Sequence, residues 1–126
     1  MAGVFQEQGH LERAMEHYRE ALAIRLKALG PEHPDVGGAY MGMANVFKEQ
    51  GDLDLAMEHY RKALTIKLKA LGPEHPEVGM TYNNMAVVFE AQGEYEQALE
   101  HYRKALAIKL NMVFGIEVNT TGPIIE

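Results

Sequence analysis

Residues 8–49 and 50–91 align without a gap at 28 identities in 42 positions. The flanks keep the same frame. "MAGVFQEQG" at 1–9 matches "MANVFKEQG" at 43–51 and "MAVVFEAQG" at 85–93, and "LERAMEHYREALAIRL" at 11–26 matches "LDLAMEHYRKALTIKL" at 53–68 and "YEQALEHYRKALAIKL" at 95–110. A repeat of this period marks a supersecondary unit that cannot bury its apolar face alone, so copies must stack into a solenoid.

Each period holds two helical patterns. Val36, Tyr40, Met43, Ala44 and Phe47 form the apolar stripe of one amphipathic helix, and Leu53, Ala56, Met57, Tyr60, Ala63 and Leu64 form that of the next. The far face of the second helix is charged. Glu58 stands four before Lys62, and Glu100 four before Lys104, the favourable order for a surface pair worth a few tenths of a kcal/mol. The first copy has Glu16 and Glu20 there, so this face is expected to be simply solvated.

The stretch "ALGPEHP" occurs at 28–34 and again at 70–76. It reads as a stop-and-restart joint. Gly30 and Gly72 can take the left-handed turn that closes a helix, and Pro31 and Pro73 forbid its continuation. His33 and His75 precede proline and are pushed to extended geometry. Pro34 and Pro76 suit the first helical position, with Asp35 or Glu77 at the positive dipole end. Within a hairpin, Gly51 or Gly93 supplies the reversal and Asp52 a plausible N-cap. The expected elements are a partial repeat helix over 1–8 and hairpin helices near 10–29, 35–49, 53–71, 77–91 and 95–113.

Small and bulky residues fall where the tetratricopeptide repeat family has them: Tyr40, Met43, Ala44, Phe47, Gly51, Leu53, Ala56, Tyr60 and Ala63, then Tyr82, Met85, Ala86, Phe89, Gly93, Tyr95, Ala98, Tyr102 and Ala105. The usual unit has about 34 residues, whereas this one has 42. The long variant resembles the repeats of kinesin light chains and related proteins, with "YNNMAVVFEAQGEYEQALEHYRKALAIKL" at 82–110 the strongest stretch. The resemblance covers residues 1–110 and implies an all-α solenoid of stacked antiparallel helix hairpins, a superhelix of about two and a half repeats. Residues 111–126 leave the pattern as a non-repeat tail.

That resemblance also implies a function, a protein–protein interaction module whose concave groove is lined by the first helix of each repeat. The family's ligand positions map to Gly38, Met41, Gly42, Asn45, Lys48 and Glu49, and to Met80, Asn83, Asn84, Val87, Glu90 and Ala91. Gly3, Gln6 and Glu7 remain from the first copy. The groove is expected to use Met41, Asn45, Lys48, Met80, Asn83, Asn84, Val87 and Glu90 toward a partner peptide or helix. Asparagine amides both donate and accept, so Asn45 and Asn84 suit a peptide backbone, although satisfying neighbouring polar groups is the plainer role. Met41 and Met80 are adaptable apolar surface or inter-helix packing. Kinesin light chains bind acidic cargo motifs through basic grooves. Here Lys48 is the only base at the mapped positions, and that preference is not carried over. Gly37, Gly38 and Gly42 each cost about 1 kcal/mol against alanine in a helix, which points to close approach of another backbone, from a neighbouring helix or a bound segment.

Composition removes other classes. A formal charge of -6 disfavours nucleic acid and anionic membrane as partners. Cysteine and serine are absent, which removes disulfides and the common acyl-transfer nucleophiles. No phosphate-binding glycine loop occurs. Of the six histidines, five sit in "EH" dipeptides whose side chains diverge by about 100° on a helix and cannot chelate as an i, i+4 pair can. No catalytic residues, metal site or cofactor are expected. No apolar run approaches the roughly 20 residues of a membrane span, and the first residues lack a signal-peptide pattern, so the expected location is cytoplasmic.

The alternative function is a structural, self-assembling repeat unit. Uncapped ends and the apolar tail "NMVFGIEVNTTGPIIE" favour a homodimer or higher homo-oligomer through end stacking or helix exchange. A fold-back cap and a disordered end are the other readings of that tail.

Overall fold

Each "LGPEHP" stops one helix and starts another through a specific set of bonds. Gly30 and Gly72 both sit at φ 89°, the left-handed conformation that an L side chain resists. His33 and His75 are extended, and each is an N-cap. The Nδ1 of His33 accepts from the backbone N–H of Asp35, and that of His75 from Glu77, both at 3.1 Å. Pro34 and Pro76 then open their helices, with Asp35 and Glu77 in the first turn.

The computed structural model describes residues 2–115, with side chains from residue 8 onward. Its helices are α1 Ala2–Leu29, α2 Pro34–Glu49, α3 Leu53–Leu71, α4 Pro76–Ala91 and α5 Tyr95–Phe114. Residues 116–126, on which the tail readings rest, lie outside the described residues, as do the side chains of Gly3, Gln6 and Glu7.

One expectation is corrected. The register predicts a break at Gly9 between a helix over 1–8 and a second starting near residue 10, yet α1 runs unbroken from Ala2 to Leu29. Gly51 and Gly93 take positive φ; Gly9 does not. At the second reversal, Asp52 Oδ1 accepts from the Leu55 N–H at 3.2 Å, whereas His10 stands in the place of Asp52. The helical path through Gly9 costs only about 1 kcal/mol.

The described helices fall into two compact units, residues 1–70 and 71–126. In the first, α1 and α2 pack antiparallel around buried Met15, Met43 and Val46, bordered by Leu11, Tyr18, Leu22 and Phe47. Among the glycines of α2, Gly37 lies against both side chains and backbone of a neighbouring helix, where a Cβ would stand 3.5 Å from the Ala63 carbonyl oxygen, whereas Gly42 meets a side chain. A Cβ at Gly42 would overlap the ring of Tyr18, and one at Gly37 would press on Lys67 Cγ at 3.2 Å and Ile66 Cγ2 at 3.3 Å. Gly38 has only Arg25 Nη1 nearby, at 3.9 Å.

The α2–α3 hairpin closes around His59, whose ring lies 5.0 Å from Phe47 and 6.1 Å from Tyr40, while its Nδ1 donates to the Leu55 carbonyl at 2.8 Å. In the second unit, α4 and α5 repeat this around His101, 4.9 Å from Phe89 and 5.8 Å from Tyr82, with Nδ1 on the Gln97 carbonyl at 2.8 Å. Four of the five "EH" histidines therefore carry structure: His33 and His75 as caps, His59 and His101 as buried ring contacts. The charged face is as expected, with Glu58–Lys62 at 3.8 Å and Glu100–Lys104 at 3.6 Å, and each lysine also lies over a tyrosine ring.

Candidate functional site

The second unit carries a cleft of about 780 Å³ between α4 and α5. Helical periodicity aligns each wall. Pro76, Met80, Asn83 and Asn84 recur on one stripe of α4, and Tyr102, Ala105, Leu106, Lys109 and Met112 on one stripe of α5. The base is tight. A Cβ at Gly79 would sit 3.3 Å from Ile108 Cγ2, so glycine lets these two helices approach there. The rim is open, with Met80, Leu106 and Met112 each more than half exposed. Among the described residues, Lys109 is the only charged one in the lining, and it is exposed.

Tyr102 borders the cleft with its hydroxyl already committed, donating to Glu90 Oε1 at 2.9 Å. Desolvation, and then the Glu90 carboxylate, push its pKa above the ordinary tyrosine value. At neutral pH it is a protonated donor, not a base. Thioethers, amides, aliphatic carbons and one ammonium make a surface that binds apolar and hydrogen-bonding groups. Among the described residues no cluster of three or more His, Asp or Glu side chains is arranged for a metal ion. No described helix is long and apolar enough to cross a membrane.

The eight residues singled out in the sequence divide by partner. Met80, Asn83 and Asn84 come together in the cleft. Glu90 is exposed but occupied by Tyr102. Val87 and Lys48 are half-buried outside the cleft. Asn45 Oδ1 accepts from the Tyr60 hydroxyl, and Met41 is buried with its sulfur accepting from Lys67 Nζ at 3.1 Å. Among these, Met41 and Asn45 have internal roles in the α2–α3 hairpin.

The α5 wall was missed by a reading confined to first helices. The period contained the signal. Tyr102, Ala105, Leu106 and Lys109 stand 42 residues after Tyr60, Ala63, Leu64 and Lys67. Tyr60 and Ala63 are fully buried and Lys67 is 4 % exposed, whereas Tyr102 and Ala105 are half-buried and Leu106 and Lys109 exposed. The same face is closed at Tyr60 and open at Tyr102.

The tetratricopeptide repeat family model matches residues 1–69 and again 35–111. No curated protein matches the chain. Among solved structures, the chain is similar to BtubC (BKLC) from P. vanneervenii at 26 % identity and a TM-score of 0.78, over 90 % of this chain and 45 % of that one. It is also similar to nearly identical TPR-like repeats of the kinesin light chain type from Podosopora anserina, at 26 % identity and a TM-score of 0.74, over 89 % and 53 %. The chain thus spans about half the length of the solved structures it matches. Repeats of this family mediate protein–protein interaction and scaffolding. The chain belongs to the tetratricopeptide repeat family, in its kinesin-light-chain-like variant, as an all-α solenoid of about two and a half repeats.

Proposed function

We propose that the chain is a non-catalytic protein-interaction module that holds a segment of a partner protein in the cleft between α4 and α5, without cofactor or metal. The carrying observation is the contrast between repeat copies: Tyr60 fully buried, Tyr102 half-buried, with Leu106 and Met80 beside it 54 % and 58 % exposed. A face built to be covered offers apolar area and hydrogen-bonding amides together. The lack of cysteine and the net charge of -6 fit a protein partner in a reducing compartment, for which the cytoplasm is the natural place. Asn84→Ala and Leu106→Asp test this. Each should weaken partner capture while helical content by circular dichroism stays unchanged, and unchanged capture by both would refute the cleft as the site.

A second reading, self-assembly, rests on Met112, Val113 and Phe114, which are 56 %, 56 % and 66 % exposed at the end of α5. Sedimentation of the chain with and without residues 111–126 decides it. A tail-dependent oligomer with an otherwise empty cleft would make assembly the main role. A monomer at high concentration would remove this reading.

A further inference from the structure

The first unit contains a worked example of how this face is covered. In α1, Tyr18 packs on Gly42 of α2, and Arg25 Nη1 donates to the Asp35 carbonyl at 2.9 Å. Tyr18 and Arg25 are seven apart, as are Asp35 and Gly42, and they pair in opposite order. The covering helix therefore runs antiparallel, with its first turn at the cation and a side-chain-free position at the tyrosine. Two periods later, Tyr102 and Lys109 occupy the positions of Tyr18 and Arg25, and both line the open cleft.

We infer that the α4–α5 cleft docks an amphipathic α-helix of a partner protein that carries an acidic residue in its first turn and a residue no larger than asparagine seven residues later. This rests on the cleft being the interaction site. Charge favours the acid. Lys67, at the same register as Lys109, is 4 % exposed where its face is closed, so covering the cleft will bury the Lys109 ammonium too. A buried ammonium needs a carboxylate or well-placed carbonyls beside it. Lys109 makes no ion pair among the described residues, and the first turns of α2 and α4 carry Asp35 and Glu77. Size limits the second position, which is Gly42 in α2 and Asn84 in α4, because a leucine-sized side chain opposite Tyr102 would hold the helix farther off than α2 lies from α1.

Other occupants fit less well. A second copy would have to offer α2, and α2 is already packed on α1. The chain's own tail has Asn119 and Glu126 at the two positions, with Gly122 and Pro123 between them, a sequence unsuited to a helix.

The probe is a fluorescein-labelled peptide of residues 33–49, cross-linked on its solvent side to hold it helical and titrated with the full 126-residue chain by anisotropy. Saturable binding is expected, weakened about tenfold or more by Lys109→Glu in the chain, by Asp35→Lys in the peptide, and by Gly42→Leu in the peptide. Combining Lys109→Glu with Asp35→Lys should restore most of the loss, which a merely structural effect of either change would not do. No saturable binding, or binding indifferent to all three changes, overturns the inference. A scrambled, extended peptide that binds equally well and is sensitive to Leu106→Asp would sink the helix but keep the cleft as the site. Binding of either peptide that ignores Leu106→Asp sinks both. Sedimentation of the chain alone is the last arm, and a dimer dissolved by Lys109→Glu would assign the face to a second copy and overturn the inference.

Discussion

Gly42 of α2 lies against the ring of Tyr18 of α1 so closely that a single Cβ at residue 42 would overlap the ring. Gly42→Ala therefore trades a gain in helix propensity of about 1 kcal/mol against overpacking of about 1–3 kcal/mol. A net loss of stability is expected. Gly38→Ala is the control, since its Cβ would meet only Arg25 Nη1 at 3.9 Å, and it should gain up to about 1 kcal/mol. Urea midpoints of the two variants, compared at equal m-value, measure both signs.

The two joints depend on imidazole acceptors at His33 and His75. His75→Ala leaves the Glu77 N–H without its cap and should cost about 1 kcal/mol, while His75→Asn, whose side chain also accepts at an N-cap, should recover most of it. His17 lies exposed, and His17→Ala should change stability by less than about 0.5 kcal/mol. Equal losses from His17 and His75 replacement would deny the capping role.

Much of this fold was legible because the repeat writes its punctuation plainly. Glycine, two prolines and an acid fix the joint, and the apolar stripes of α2 and α3 became the buried faces. Val36, Met43, Ala44, Ala56, Met57, Tyr60 and Ala63 are all buried. What escaped were roles that depend on a neighbour. The His75 imidazole is an acceptor only because its extended backbone aims Nδ1 at Glu77, and Met41 is internal because Lys67 lies beside it. Gly9 escaped for another reason, since its register promised a turn but His10 stands where Asp52 caps the corresponding helix.

Alkaline stability should fall through Tyr60. Burial, and then the nearby Glu49 charge, push its pKa from 10.0 to about 12. As pH rises past 10 the unfolded chain releases this proton and the folded chain keeps it, so folding binds more protons and stability declines until the folded group titrates near 12. The contribution is roughly 3 kcal/mol, complete below pH 10 and lost across that window. Tyr60→Phe should be less stable near neutrality by about 1 kcal/mol, because the Asn45 acceptor loses its donor. It should also lose less of its stability between pH 10 and 12 than the parent. Parallel pH profiles for the two proteins would contradict the assignment.

The central claim is that the open face of α5 is where another protein sits. A photo-reactive leucine analogue at position 106, activated in the native cell, reports what touches that face, and the same chemistry at the solvated position 58 reports background. The account predicts cross-links from position 106 into a small set of partner peptides, absent from position 58 and reduced by Asn84→Ala. Identical cross-linked proteins in equal yield from both positions would contradict it.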